Sequence, residues 1–242
     1  MMQLDTALAV AGITGLFGLI ILIVLWPGEK QGVRLLAKWG VRNPTADQVP
    51  VAVRYLRRRR FWYPWLFLGL PLIPGTTNLV GERNANSLVF VVLLGGLAAE
   101  ILAQRPSREP HREAVLAPRG VLDFAPLWTI VVSGLATLAA VVHLAVLRQW
   151  GPLAVTVGAA AVSWIIVLLA VRRPAAGDPE VDQALRVRSA RVALGLGTGT
   201  AATLGWTVGD LTSFLAFVAT VAAFLAIVGP PPKQRATTTA AR

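Results

Sequence analysis

The stretch from Leu127 to Leu147 reads LWTIVVSGLATLAAVVHLAVL and holds no Lys, Arg, Asp or Glu. An α-helix rises about 1.5 Å per residue, and about 20 mostly apolar residues cross the hydrocarbon of a bilayer. This stretch therefore reads as a membrane span. Outward from it, six more stretches qualify: 7–26, 61–80, 86–103, 152–171, 192–209 and 211–229. Between them lie short segments carrying most of the charge. The composition agrees, with 55% hydrophobic and only 14% charged residues against about 25% charged in soluble domains.

Two of the seven stretches are weaker. The second carries Pro64, Pro71, Pro74 and Gly75, so it is expected to be kinked or broken. The sixth, Ala193 to Gly209, is rich in Gly and Thr, and charge rather than hydropathy argues for it. With the N-terminus outside, segment 27–60 lies in the cytoplasm with nine Lys and Arg, segment 104–126 with four, segment 172–191 with five and the tail with three. Only Arg83 and Arg148 fall on the other side. Basic residues gather on the cytoplasmic side of membrane proteins, and removing the sixth helix would break this asymmetry. The expectation is an all-α, polytopic transmembrane bundle of about seven helices, with the N-terminus outside and the C-terminus cytoplasmic. Residues 1–229 form one transmembrane domain, and 230–242, opening on Pro230-Pro231-Pro232, form a disordered cytoplasmic tail. The first stretch has no basic n-region, since Asp5 is the only charge before it, and reads as a retained helix rather than a secretory signal.

The net charge of +11 comes from 23 Lys plus Arg against 12 Asp plus Glu. Lying between apolar runs, these charges point to a membrane surface rather than nucleic acid. Cysteine is absent, which excludes disulfides, thiol catalysis and Cys-based metal sites. Trp26, Phe61, Trp62, Tyr63, Trp65 and Trp128 fall at inner boundaries of the spans, and Trp150 and Trp206 at outer ones, as amphipathic rings prefer. Trp164, deep in the fifth span, reads as a packing residue. In segment 27–60, Glu29 to Gly40 reads as a short interfacial helix with Val33, Leu36 and Gly40 on one side, and 46–60 as a helix running into the second span.

Several features could carry function. Arg57, Arg58, Arg59 and Arg60, followed by Phe61-Trp62-Tyr63, read first as a topology anchor and second as an interface for anionic lipid head groups. In the sixth span, Gly195, Gly199, Gly205 and Gly209 invite close helix packing, while Thr198, Thr200, Thr203 and Thr207 could line a path. The broken second helix ends in Gly75-Thr76-Thr77-Asn78, and interrupted helices point to transporter sites. Asn78, His143 and Thr200 are the candidate substrate-path residues. Glu100 is expected to reach the interface or pair with an arginine of the following loop. Asp178-Pro179-Glu180-Val181-Asp182 opens a short helix, with acids at its start and Arg186 and Arg188 further on. His111 and His143 are far apart and offer no metal site. The chain shows no paired acids, nucleophile–base pair, nucleotide loop or cofactor fingerprint. A shift of 65 residues brings Gly69, Gly134 and Gly199 into register as a candidate internal repeat.

In style the chain resembles uncharacterised multi-pass membrane proteins of high-GC actinobacteria. The Ala/Val/Leu/Gly-rich spans, the weight of Arg over Lys and strings such as Tyr55-Leu56-Arg57-Arg58-Arg59-Arg60 carry that resemblance. It implies a bacterial cytoplasmic membrane and transfers no functional residue. The expected role is that of a non-enzymatic accessory, regulatory or assembly subunit, partnered by the lipid bilayer and by another membrane protein or a second copy. The alternatives are a small transporter or permease subunit, and a membrane-embedded enzyme acting on lipid.

Overall fold

The computed structural model describes residues 2–24, 26–41, 43–69, 84–103, 120–173, 178–206 and 209–230. The described residues are helical throughout apart from short connections. In chain order the helices are α1 (Met2–Val24), α2 (Glu29–Lys38), α3 (Gln48–Phe61), α4 (Tyr63–Gly69), α5 (Asn84–Ala103), α6 (Leu127–Val146), α7 (Trp150–Arg172), α8 (Pro179–Gly205) and α9 (Leu211–Val228). A 3-10 turn, Val121–Asp123, precedes α6. Each expected span therefore overlaps a helix, although of the second, 61–80, only 61–69 is described. The Gly75 to Asn78 break, Arg83, Thr207, the loop 104–119 with Arg105, Arg108, Arg112, Arg119 and His111, and the tail from 231 lie outside the described residues.

Among the described residues, three helices are long and apolar enough to cross a membrane: α6, α7 and α9. A fourth candidate is the bent pair Ala11–Val24 with Glu29–Lys38, whose halves meet at 90°. This is a helical membrane protein with three or four candidate spans. Many large side chains of α6, α7 and α9 are exposed, such as Leu135, Leu138, Ile165, Leu215 and Leu225. Such faces suit lipid.

The sixth stretch departs most from expectation. Its helix does not begin near Val192 after a loop and a short helix. α8 starts at Pro179 and runs unbroken for 27 residues to Gly205. Asp178 caps it, accepting from the backbone N–H of Glu180 at 2.9 Å and of Val181 at 3.2 Å, which satisfies donors that a helix start leaves orphaned. α8 is the centre of the bundle and packs against α5, α6, α7 and α9. Its small residues permit this. A Cβ on Gly195 would overlap Val228 of α9, one on Gly205 would overlap Ala140 of α6, and one on Gly199 would lie 3.0 Å from Leu93 of α5 and 3.2 Å from Phe224 of α9. Gly69 and Gly134, the repeat partners of Gly199, have open space where a Cβ would go, so the three positions have different surroundings.

At the start of the chain α1 packs on α4, where Gly15 lies under Leu68. α2 does not rest alone in the interface. It packs on α3, with Gly32 against Val49 and Val53. Of the side formed by Val33, Leu36 and Gly40, Leu36 is buried while Val33 and Gly40 are exposed, and Gly32, Trp39 and Val41 are buried with Leu36. α2 ends in a Schellman turn: Gly40 takes φ +104, and the Val41 N–H bonds the Leu36 carbonyl at 3.0 Å. Leu36, Val41, Ala52, Tyr55, Leu56, Val181 and Leu185 then share one hydrophobic cluster, joining α2 and α3 to the first turns of α8. Trp164 is 39% exposed, so it faces outward from α7 rather than into the core.

Candidate functional site

Helix phase decides which of the basic residues turn inward. On α3, Ala52, Tyr55, Leu56 and Arg59 recur every three or four residues and share the face towards the bundle. On α8, Arg186, Arg188 and Arg191 fall where the helix is surrounded by others, and all three are buried. A guanidinium is tolerated there only when its donors are satisfied, and its partners are specific.

Glu100, near the end of α5, is fully buried. The Tyr55 hydroxyl and the Ser189 hydroxyl both donate to its Oε1. The Arg59 guanidinium lies 3.0 Å from its Oε2. Arg188 donates to the Tyr55 oxygen and lies over the Tyr55 ring. Burial pushes the Tyr55 phenol up to about 12, so it stays protonated and keeps donating. Among the described residues the arginine that meets Glu100 comes from α3; the arginines of the loop after α5 lie outside them.

A second cluster ties α7 to α8. Asp182 accepts from Arg186 at 2.7 Å and from Arg173 at 2.6 Å. Arg186 also donates to the Ala170 carbonyl at 2.6 Å, in the last turn of α7. Arg191 does the same for α9, donating to the Ile227 carbonyl at 3.1 Å and the Ala226 carbonyl at 3.2 Å. Its guanidinium also lies 5.8 Å from the Trp39 ring and 5.6 Å from the Trp128 ring. The last carbonyls of a helix lack intrahelical donors and carry partial negative charge, so these two arginines satisfy and neutralise the ends of α7 and α9. Gln48 of α3 donates to Asp178 at 2.9 Å. That bond and those from Val181 and Glu180 hold the Asp178 carboxyl below the usual carboxylate range.

These contacts place the ends of the helices. The C-terminal ends of α5, α7 and α9, the N-terminal end of α6 through Trp128 and the N-terminal half of α8 meet at one end of the molecule, the basic end. α3 joins them there. The C-terminal ends of α6 and α8 meet at the other end, where His143 stacks on Trp206 with ring centroids 5.0 Å apart and Ala140 abuts Gly205. Successive helices from α5 to α9 therefore run in alternating directions.

At that opposite end, Trp206 Nε1 donates to Thr220 at 3.0 Å. Nε2 of His143 is buried and has no hydrogen-bond partner among the described residues. Asp210 caps α9 through the N–H of Ser213 at 2.9 Å and its hydroxyl at 2.8 Å, which holds its carboxyl below the usual range. Thr200 is fully buried and donates to the Leu196 carbonyl of its own helix at 3.0 Å. Of the candidate path residues, His143 and Thr200 thus lie on neighbouring helices with different partners, and Asn78 lies outside the described residues. A side groove of about 250 Å³ opens between α6 and α7, lined by Ser133, Thr137, Ser163 and Trp164 and floored by Leu194 and Gly197 of α8. Its serines are engaged, Ser133 with the Leu194 carbonyl at 3.4 Å and Ser163 with the Ala159 carbonyl at 2.8 Å.

Among Arg57 to Arg60 the side chains diverge. Arg59 turns to Glu100. Arg57 is exposed, donates to the Pro27 carbonyl at 3.1 Å and lies 5.7 Å from the Trp26 ring. Arg58 is exposed and Arg60 half-buried. Sequence reasoning passed over the network around Glu100 because its contacts between helices join residues far apart in the chain, up to 134 positions for Tyr55 and Ser189. One local signal was available: Asp182 and Arg186 are four apart, the spacing of a helical ion pair. No protein-family model matches the chain, and neither a curated protein nor a solved structure matches it. What stands is its architecture, that of a helical membrane protein with three or four candidate spans.

Proposed function

We propose that the chain is a seven-span protein of a bacterial cytoplasmic membrane, with its N-terminus outside and its basic end in the cytoplasm, acting as an accessory, regulatory or assembly subunit without chemistry of its own. The observation that carries this reading is the use made of the buried ionisable groups. Such groups within membrane bundles are functional candidates by default. Here Glu100, Asp182, Arg186 and Arg191 each bind a neighbouring helix, joining α3, α5, α7, α8 and α9. Their arrangement is that of a brace. The alternation of helix direction and the gathering of arginines at one end support the seven spans and their orientation. The actinobacterial style of the sequence supports the bacterial membrane.

The test is purification from native membranes after mild cross-linking. The reading expects a membrane-protein partner in fixed stoichiometry, whose abundance or activity falls when this chain is deleted. A chain that purifies alone and, once reconstituted, carries saturable flux of a solute that Thr200→Val abolishes would contradict it. That second outcome is the transporter reading. The observation favouring it is the buried Nε2 of His143, which has no hydrogen-bond partner among the described residues.

A further inference from the structure

On α3 the residues opposite the bundle form a stripe that continues into α4. Arg54, Arg58, Phe61 and Trp65 follow one another at spacings of four, three and four, and all are exposed. The Leu66 N–H bonds the Trp62 carbonyl at 3.0 Å, so the helical path hardly breaks between α3 and α4. Arg57 flanks the stripe, held against Trp26 and the Pro27 carbonyl. Phe61 packs edge-on to Trp62 with centroids 5.8 Å apart and lies 6.5 Å from Trp65. Along the helix the stripe changes from arginine to aromatic, and α3 contains no Asp or Glu. The change follows the polarity of a bilayer from head groups inward.

We propose that this stripe, Arg54, Arg57 and Arg58 with Phe61 and Trp65, is a docking surface for anionic phospholipid in the leaflet at the basic end. The guanidinium fork matches phosphate oxygens in a bidentate way. The aromatic part lies where the glycerol and first methylenes of the same lipid would sit, and that selects a lipid over free phosphate. The inference rests on the reading above that α3 runs into a span at the basic end. It also narrows the arginine cluster: Arg59 belongs to the brace, and Arg54, which precedes the cluster, belongs to the surface.

The experiment uses the full chain in nanodiscs of phosphatidylcholine with a minority of phosphatidylglycerol. Spin-labelled lipids report which species is held at the protein surface. The wild type should prefer phosphatidylglycerol. The triple variant Arg54→Gln, Arg57→Gln, Arg58→Gln should lose most of that preference, at most on the order of a hundredfold for three basic residues near a surface. Raising salt from about 0.1 M to about 1 M shortens the screening length from roughly 10 Å to roughly 3 Å. It should collapse the wild-type preference, a check that needs no variant to fold. No preference in the wild type, or an equal one in the triple variant, would overturn the proposal. So would loss of preference on adding inorganic phosphate at an ionic strength where chloride has no effect, which would mark a free-anion site. Failure of the underlying reading shows separately, as wrong-sided labelling of a cysteine placed at Ala46.

Discussion

Replacing Gly199 with Leu tests whether α8 is a packing centre. The position lies in the middle of α8, and a Cβ there would sit 3.0 Å from Leu93 Cδ2 and 3.2 Å from Phe224 Cδ2. Both distances are shorter than ordinary carbon contacts, so even the first added carbon forces α5 or α9 to give. Leucine adds three more carbons in the same direction. Overpacking of this kind costs about 1–3 kcal/mol, and removing a mid-helix glycine returns up to about 1 kcal/mol. The net expectation is a loss of roughly 1–2 kcal/mol. For a chain of this length that is a melting-temperature drop of about 2–8 °C, measured by intrinsic fluorescence in detergent. Thr200→Val is the matched control. It keeps the branched shape and removes a hydroxyl bonded only to the Leu196 carbonyl of its own helix, and hydrogen bonds within membranes average about 0.6 kcal/mol. It should melt within about 2 °C of the parent. If Gly199→Leu melts like the parent, or Thr200→Val melts lower than it does, the packing account of α8 is wrong.

Glu100→Gln leaves the Arg59 guanidinium facing a neutral amide, and breaking a buried pair costs about 3–5 kcal/mol. Thermal melts should show that loss, and adding Arg59→Met should recover part of it. A double variant no better than the single would mean that the pair is not coupled. Arg191→Leu removes the donors to the Ala226 and Ile227 carbonyls, so hydrogen exchange should quicken in the last turn of α9, and unchanged exchange there would refute its capping role. Asp178 titrates below its ordinary value of 3.8 in the folded chain. The stability it contributes is therefore complete above that value and lost as pH falls through the lower folded one. Exchange protection of the first turn of α8 should fall only in that acid range, and Gln48→Ala, which removes the largest cause of the shift, should move the loss to higher pH.

What the sequence shows clearly is what uniform apolarity can show. The stretches 127–147, 152–171 and 211–229 match α6, α7 and α9 to within two residues at each end, since nothing in them competes with the membrane reading. α8 was half read. Arg186, Arg188 and Arg191 look like loop charge to any measure that counts charges. Here each has a carbonyl, a hydroxyl or an aromatic face contributed by another helix, and those partners lie well away in sequence. The run of small residues from Ala190 through Ala193, Gly195, Gly197 and Gly199 continues straight out of the arginine segment, and it hinted that one helix spans both. The arginine cluster is legible only in part, because successive residues on a helix are about 100° apart: Arg59 turns to Glu100 while Arg57 and Arg58 stay exposed, and the packing of α3 decides which is which. Trp164 reads as a packing residue because it is central in its span, but depth in a membrane is not burial in a protein. The candidate path residues gave no such test, since Asn78 lies outside the described residues and His143 and Thr200 have separate partners.

The central claim is that α8 crosses the membrane with its arginine-rich half at the cytoplasmic side. The chain has no cysteine, so single cysteines can be placed in it without background. The decisive measurement is labelling of whole cells by a membrane-impermeant maleimide at two exposed positions, Gly209 just beyond α8 and Ala46 between α2 and α3. The account predicts that the Gly209→Cys variant is labelled from outside, and that the Ala46→Cys variant is labelled only after the membrane is opened. Labelling of both from the same side would show that the helices between them do not make an odd number of crossings, and would contradict it.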